Sequence, residues 1–417
     1  MPTLTIDGHD VTVPAGSTIL DAARSLGRDV PTLCYYPTLP IVGNCRICLV
    51  AVDGAAKLVP ACATQAADGM RVSTEAPDVV RARRGVLQML LERYPTETIP
   101  PGGARNEFEE MVRRYDVPAE RRSGLPIRTG DARAGDPIIG HDMSTCILCT
   151  RCVRACEDIQ VVGVLDVGRR GEDAAIIVGA DGNPEHAGCT WCGECVRVCP
   201  TGAIHDVLAV ARRAGALAAE PERLVRSVCP YCGVGCQIDL AVRGNDVVGV
   251  TSPWIEEDTP NLGSTCVKGR FGTDFVQHRD RLLVPLIRRG WLRRDGRWVF
   301  DAGADAAARW PRRGGPWSDV AGEGRTAKDR PRTNPLRRAP TGPTTQADPR
   351  DRAATPADWY APFREASWDE ALGLVAQELT RLRDQRGPQS LAVFQSAKCS
   401  NEENYLLQRL FRGGIGT

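Results

Sequence analysis

This 417-residue sequence is poor in aromatic side chains, in net charge and in long apolar runs. Aromatics make up 5% of it, against 42 glycines and 30 prolines, which predicts many turns and at least one poorly packed stretch. A formal net charge of +1 leaves no basic excess to grip a nucleic-acid backbone and no acidic tail, so no nucleic-acid partner is expected. No segment approaches the roughly 18 consecutive apolar residues of a membrane span, and none is expected. The N-terminus, MPTLTIDGHDVTV, lacks the basic start and apolar run of a secretory signal, and the chain is expected in the cytoplasm. What remains is 42% hydrophobic and 25% charged, the composition of globular protein.

Cysteine, by contrast, is abundant. A cytoplasmic setting disfavours disulfides, so seventeen clustered cysteines point to metal. Sixteen of them sort into four groups. Cys34, Cys45, Cys48 and Cys62 follow C-x10-C-x2-C-x13-C. Cys146, Cys149, Cys152 and Cys156 follow C-x2-C-x2-C-x3-C, and Cys189, Cys192, Cys195 and Cys199 repeat that spacing 43 residues later, with Pro200 behind it. Cys229, Cys232 and Cys236 form a C-x2-C-x3-C trio, completed by the remote Cys266.

Zinc favours a closed tetrahedron built from two separated C-x2-C knuckles. The 2-2-3 run instead wraps three thiolates round one [4Fe–4S] cubane, and its fourth cysteine ligates the neighbouring one. Cys146, Cys149, Cys152 and Cys199 are therefore expected to hold one centre, and Cys189, Cys192, Cys195 and Cys156 the second. The first group departs from the plant-type spacing. Its context is a β-hairpin around Asp7-Gly8 and then a short helix, STILDAARSLG, with Thr18 near its cap and Gly27 at its end. Hairpin, helix and cysteine loop is the order of a β-grasp ferredoxin, which predicts [2Fe–2S]; a zinc loop is the alternative. The fourth group suits a cubane, with a hairpin around Gly244-Asn245 between its ligands.

Between these groups, residues 79–93 carry Val79, Val86, Leu87, Leu90 and Leu91 at helical spacing, and Pro95 stops the helix. EFEEMVRRY (107–115) predicts a second helix. Residues 301–362 hold nine prolines and few long aliphatics, and read as a loosely docked or disordered insertion. Order returns at Ser367, where a Ser367–Glu370 capping box opens a helix whose apolar face is Leu372, Val375, Leu379 and Leu382. SLAVF (390–394) predicts a buried strand, and Ser400–Glu403 caps a further helix. One such helix–strand–helix unit cannot bury its own faces, so the sequence is expected to be part of a longer protein. Cys399 reads as a packing cysteine.

In that order the modules resemble the catalytic subunit of cytoplasmic molybdenum- or tungsten-dependent formate dehydrogenases. The resemblance rests on the cysteine groups, CPYCGVGC…CVKGR, SWDEAL and SAKCSNEENYLLQRL. It implies a multidomain α+β chain: a [2Fe–2S] β-grasp domain (1–78), a helical linker (79–135), a twin [4Fe–4S] ferredoxin domain (136–218), a molybdopterin-oxidoreductase [4Fe–4S] domain (219–290), a low-complexity insertion (291–363) and the start of an α/β molybdopterin-binding domain (364–417). It implies one [2Fe–2S], three [4Fe–4S] and, in the full-length protein, a molybdenum or tungsten bis-molybdopterin guanine dinucleotide. Lys268 matches a lysine lying between the last cluster and the pterin, where it binds the cofactor and relays electrons. The implied reaction is formate oxidation to CO2, with electrons leaving toward NAD through flavin- and NAD-binding diaphorase-type subunits.

Two departures from the family stand out. Relatives often carry a further cluster held by one His and three Cys after the first module. Here no cysteine lies between Cys62 and Cys146, Tyr94 stands near the expected His, and that centre is expected to be absent. The family's metal-ligating Cys or selenocysteine falls beyond Thr417, so this stretch alone is expected to lack a complete molybdenum site. Other readings are a non-enzymatic electron-transfer module, another molybdopterin oxidoreductase such as an oxyanion reductase, an iron-only hydrogenase without its cysteine constellation, and a respiratory NADH–quinone oxidoreductase subunit. The last normally lacks the twin 2-2-3 repeat, which argues against it.

Overall fold

The computed structural model describes residues 1–130, 136–214, 222–253, 259–278, 281–306 and 362–417. The chain divides into two compact units, Met1–Thr273 and Asp274–Thr417.

The first unit begins with β1 (Thr3–Ile6) and β2 (His9–Thr12), antiparallel with Ile6 opposite His9. Asp7 (φ 47°) and Gly8 (φ 82°) form the two-residue turn, both left-handed as that tight hairpin requires. Helix α1 (Ile19–Ser25) starts in a reciprocal box: the Thr18 hydroxyl accepts from the Asp21 amide, and the Asp21 carboxylate accepts from the Thr18 amide. Strands β3 (Leu49–Val52), β4 (Val59–Pro60) and β5 (Arg71–Ser73) complete a sheet of order β2-β1-β5-β3-β4, with β5 parallel to β1. Leu4, Ile6, Ile19, Leu20, Val50 and Val72 fill the space between helix and sheet.

Helices α2 (Pro77–Leu91) and α3 (Glu107–Arg114) follow the first sheet. The buried face of α2 is Val79, Arg83, Leu87 and Leu91, a strict four-residue stripe, while Val86 and Leu90 are only half-buried. Arg83 was not part of the expected face. It is tolerated because its guanidinium donates to the Leu49 carbonyl (2.9 Å) and the Tyr115 hydroxyl (2.9 Å). Leu33 and Ile47, each beside a cysteine of the first group, pack into this linker core.

The next module is built twice. Strand β6 (Ile139–His141) leads through one cysteine loop into α4 (Arg151–Arg154) and β7 (Leu165–Gly168). Strand β8 (Ala175–Val178) leads through the other into α5 (Glu194–Arg197) and β9 (Ile204–Asp206). β6 pairs with β9 and β7 with β8, so the halves interlock, and α6 (Val207–Ala214) follows. A three-stranded antiparallel sheet comes next, β10 (Arg223–Val228), β11 (Gln237–Arg243) and β12 (Asp246–Thr251). The β11–β12 turn falls at Gly244-Asn245 as its sequence predicts, with Arg243 opposite Asp246. Short helix α7 (Val267–Phe271) begins directly after Cys266.

In the second unit, β13 (Leu286–Arg288) pairs with β16 (Phe363–Glu365), and β14 (Trp291–Arg294) with β15 (Arg297–Phe300); α8 (Ala302–Ala306) lies between β15 and β16 in sequence. β14, β15 and α8 fall inside the stretch expected to be insertion, whose bulk, 307–361, lies outside the described residues. Helix α9 (Trp368–Arg386) is capped by Ser367, but only half the expected box forms: the Glu370 carboxylate accepts from Arg364 (2.6 Å) instead. The expected apolar face is also displaced. Leu372 and Val375 are exposed, and Leu374 packs with Ile287 and Trp298. The strand expected at 390–394 does not form, and Phe394 is 98% exposed. A lone apolar run needs a neighbouring strand, and none of the described residues supplies one. Helix α10 (Asn401–Gln408) does carry its full Ser400–Glu403 box.

Candidate metal centres

The first group lies on the segment between α1 and β3, with Cys62 just after β4. Its sulfurs converge two by two. The Cys34 amide donates to Cys45 Sγ (3.3 Å), and Cys48 Sγ lies 3.3 Å from Cys62 Sγ. In each pair a thiol hydrogen bond draws one sulfur toward its thiolate, Cys34 and Cys48, and pushes its partner up. The thiolate is the metal-binding form. Two close pairs suit a two-iron centre with two thiolates per iron.

In the doubled module, Cys146, Cys149, Cys152 and Cys199 line one pocket, together with Ile176 and Ile204. Cys199 thus joins the group expected from the exchanged-ligand pattern. Burial pushes Cys146 up to about 11 and Cys149 up to about 12. Burial holds Cys146, Cys149 and Cys152 toward the neutral thiol, and such thiols gain the charge of thiolates when a cationic group shares the space, which is the donor chemistry of an iron–sulfur cluster. On the other side, Cys192 is pushed up by burial, with the charges of Glu194 and Cys156 acting in the same sense. That brings Cys156 to the Cys189–Cys195 loop.

Each loop winds through two left-handed positions, Leu148 (φ 54°) and Thr150 (φ 58°) in one, Trp191 (φ 51°) and Gly193 (φ 79°) in the other. The Leu148 amide donates to Cys146 Sγ and the Trp191 amide to Cys189 Sγ, both at 3.4 Å. Such bonds to sulfur favour reduction of a bound cluster. Gly193 also answers a close approach, because a Cβ there would sit 2.1 Å from Arg270 Cδ.

In the fourth group, the Cys229 amide donates to the Cys236 carbonyl (2.8 Å). Burial raises both thiols, and the other cysteines of the group raise them further. Gly269 lets α7 approach, since a Cβ there would lie 3.3 Å from Cys229 Sγ. Lys268 is exposed on α7, two residues past Cys266. Cys399 is half-buried, and its carbonyl accepts from the Asn404 amide nitrogen. Among the described residues no set of His, Cys, Asp or Glu is arranged round a single metal ion.

Sequence reasoning missed the charged residues that tie the groups together. Arg154 and Arg151 on α4 reach the first group's loop: Arg154 donates to the Cys34 and Pro40 carbonyls, and Arg151 to the Thr32 carbonyl. Glu194, fully buried, pairs with Arg197 (2.7 Å) and Arg270 (3.5 Å). Arg197 donates onward to the Tyr36 hydroxyl (2.9 Å). The one sequence signal is that Arg151, Arg154, Glu194 and Arg197 stand inside the cysteine runs.

Four family models match the chain in succession. Residues 1–77 match a 2Fe-2S iron-sulfur cluster binding domain. Residues 136–205 match the ferredoxin-like domain of NADH-quinone oxidoreductase subunit 3. Residues 222–278 match the molybdopterin oxidoreductase Fe4S4 domain, and 361–417 match molybdopterin oxidoreductase itself. A Rhizobium meliloti relative, named as a subunit of NADH-quinone oxidoreductase, is 40% identical over 69% of this chain and 33% of its own length. The alpha subunit of a Geobacter sulfurreducens NADPH-Fe(3+) oxidoreductase is 30% identical over 100% of this chain and 40% of its own. A Bacillus subtilis protein provisionally named a formate dehydrogenase is 27% identical over 98% and 38%. The chain spans between a third and two fifths of the length of these relatives. The doubled 2-2-3 module was expected to argue against an NADH–quinone oxidoreductase subunit. That expectation is corrected, because this very module matches such a subunit's domain.

Proposed function

For a molybdopterin oxidoreductase-family chain carrying iron–sulfur domains, we propose the role of an electron-relaying subunit in a formate dehydrogenase, oxidising formate to CO2. The observation that carries the relay is the gathering of Cys146, Cys149, Cys152 and Cys199 round one cavity. Those four would hold one [4Fe–4S] centre, and Cys189, Cys192, Cys195 and Cys156 a second. Cys229, Cys232, Cys236 and Cys266 would hold a third, and Cys34, Cys45, Cys48 and Cys62 a [2Fe–2S] centre. When bound, these groups would supply one-electron transfer, and a metal–pterin group would supply the substrate chemistry.

The protein's own part is placement and tuning. In the doubled module Cys152 and Cys195 are buried, and the Leu148 and Trp191 amides bond to the sulfurs of Cys146 and Cys189. Lys268, exposed beside Cys266, is the residue proposed to contact the pterin. Electrons would pass from the Cys229–Cys266 group through the doubled module to the first group, and on to a flavin- and NAD-binding partner subunit. A second reading is favoured by the module match at 136–205 and by the Rhizobium relative: an iron–sulfur subunit of an NAD(P)H-linked oxidoreductase that does not act on formate.

The test is iron and acid-labile sulfide analysis of anaerobically purified protein. About fourteen irons per chain are expected from three cubanes and one two-iron centre. Protein loaded with zinc and free of iron would end the proposal. Reduction of the paramagnetic signals of the full-length protein by formate supports the first reading; reduction by NADH or NADPH but not by formate supports the second.

A further inference from the structure

Arg151 and Arg154 lie three residues apart on α4, and both are buried. Their charges are handled differently. Arg151 donates to the Glu107 carboxylate at 2.8 Å, so an acid compensates it. All the hydrogen bonds of Arg154 end on backbone carbonyls: Thr150 (3.3 Å), Pro40 (2.5 Å), Cys34 (2.6 Å) and Cys149 (3.3 Å). One terminal nitrogen, Nη2, serves both Cys34 and Cys149. Those carbonyls belong to cysteines of two different groups. A single guanidinium, 7% exposed, is thus shared between the loop of the first group and the loop of the second.

We propose that Arg154 is the positioning residue that couples these two centres, holding their ligand loops at fixed separation and placing one positive charge between them. The inference rests on the cluster assignment above. The transfer it serves moves one electron: the centre on one loop is oxidised as the centre on the other is reduced, with no bond or proton change. Each four-thiolate site becomes more negative by one charge on reduction. A fixed cation in a low-dielectric interior favours that state at both sites. The planar guanidinium matters as well as the charge, because a lysine cannot donate to both carbonyls in one plane.

The experiment is a redox titration followed by electron paramagnetic resonance on the iron-loaded protein, its Arg154→Gln and Arg154→Lys variants, and the surface control Arg114→Gln. In Arg154→Gln both centres should become harder to reduce, by about tenfold in the equilibrium constant, or about 59 mV for a one-electron couple. The spin-relaxation enhancement between the two centres should weaken too. Arg154→Lys should keep most of the potential and lose the enhancement. Full iron with unchanged potentials and relaxation in Arg154→Gln overturns the proposal. Should Arg154→Gln fail to load iron, Arg154→Lys decides, and unchanged relaxation there overturns it. Iron-free wild-type protein would instead sink the cluster assignment.

Discussion

Buried charge is held at single residues by hydrogen bonds to named partners, and Glu109 shows what that is worth. Its side chain is fully buried, accepting from Arg105 Nη2 (2.6 Å), the Arg105 amide (2.8 Å) and the Tyr94 hydroxyl (2.8 Å). Burial opposes its charge, but the Arg105 bonds outweigh burial and hold the carboxyl below its usual range. A depressed carboxylate contributes stability above its unfolded pKa and loses it as pH falls through the folded value. Glu109→Gln should therefore cost about 2 kcal/mol in denaturant unfolding at pH 7. The gap to wild type should hold down to pH ~5 and shrink below pH ~4. A gap independent of pH would show that packing, not charge, is at stake. None of this was legible in the sequence. A charge reads as solvated until the fold buries it: Arg105 is four residues from Glu109 and Arg197 three from Glu194, but Tyr94, which also bonds Glu109, Tyr115, which bonds Arg83, and Arg270, which pairs with Glu194, come from other segments.

At the scale of elements, local signals read true where the partner was local. The Asp7-Gly8 and Gly244-Asn245 turns and the Thr18 and Ser400 caps all form where the residues predict, because each bond is made within a few positions. The 390–394 strand and the Leu372–Val375 face fail because burial there depends on what packs against them. The cysteine loops are intermediate: one pocket gathers Cys146, Cys149, Cys152 and Cys199, in keeping with their spacing, but how the backbone turns is not in the spacing. Ligand exchange between loops gives a test by non-additivity. Cys199→Ser and Cys146→Ser should each cost about four irons, and the double variant no more, because both act at one centre. Cys199→Ser with Cys189→Ser should cost about eight. Eight lost from Cys199 with Cys146 would refute the exchange.

On the scale of the whole chain, all sixteen grouped cysteines lie in the first compact unit, Met1–Thr273. A chain ending at Thr273 is therefore expected to bind as much iron per molecule as the 417-residue chain, by colorimetric iron assay of anaerobic protein. A shortfall of about four irons would mean that the Cys229–Cys266 group needs the second unit. The order of modules was legible because thiol spacing is stereotyped; the reaction was not, because the residues that choose a substrate are not among those spacings.

The doubled module carries one last implication. Its two halves repeat the same left-handed turns and the same amide-to-sulfur bonds. Twin sites cut to one pattern would, with clusters bound, form a wire with no built-in polarity. Any bias toward forward or reverse traffic must come from their unlike flanks, the Arg154 side and the Glu194–Arg270 side.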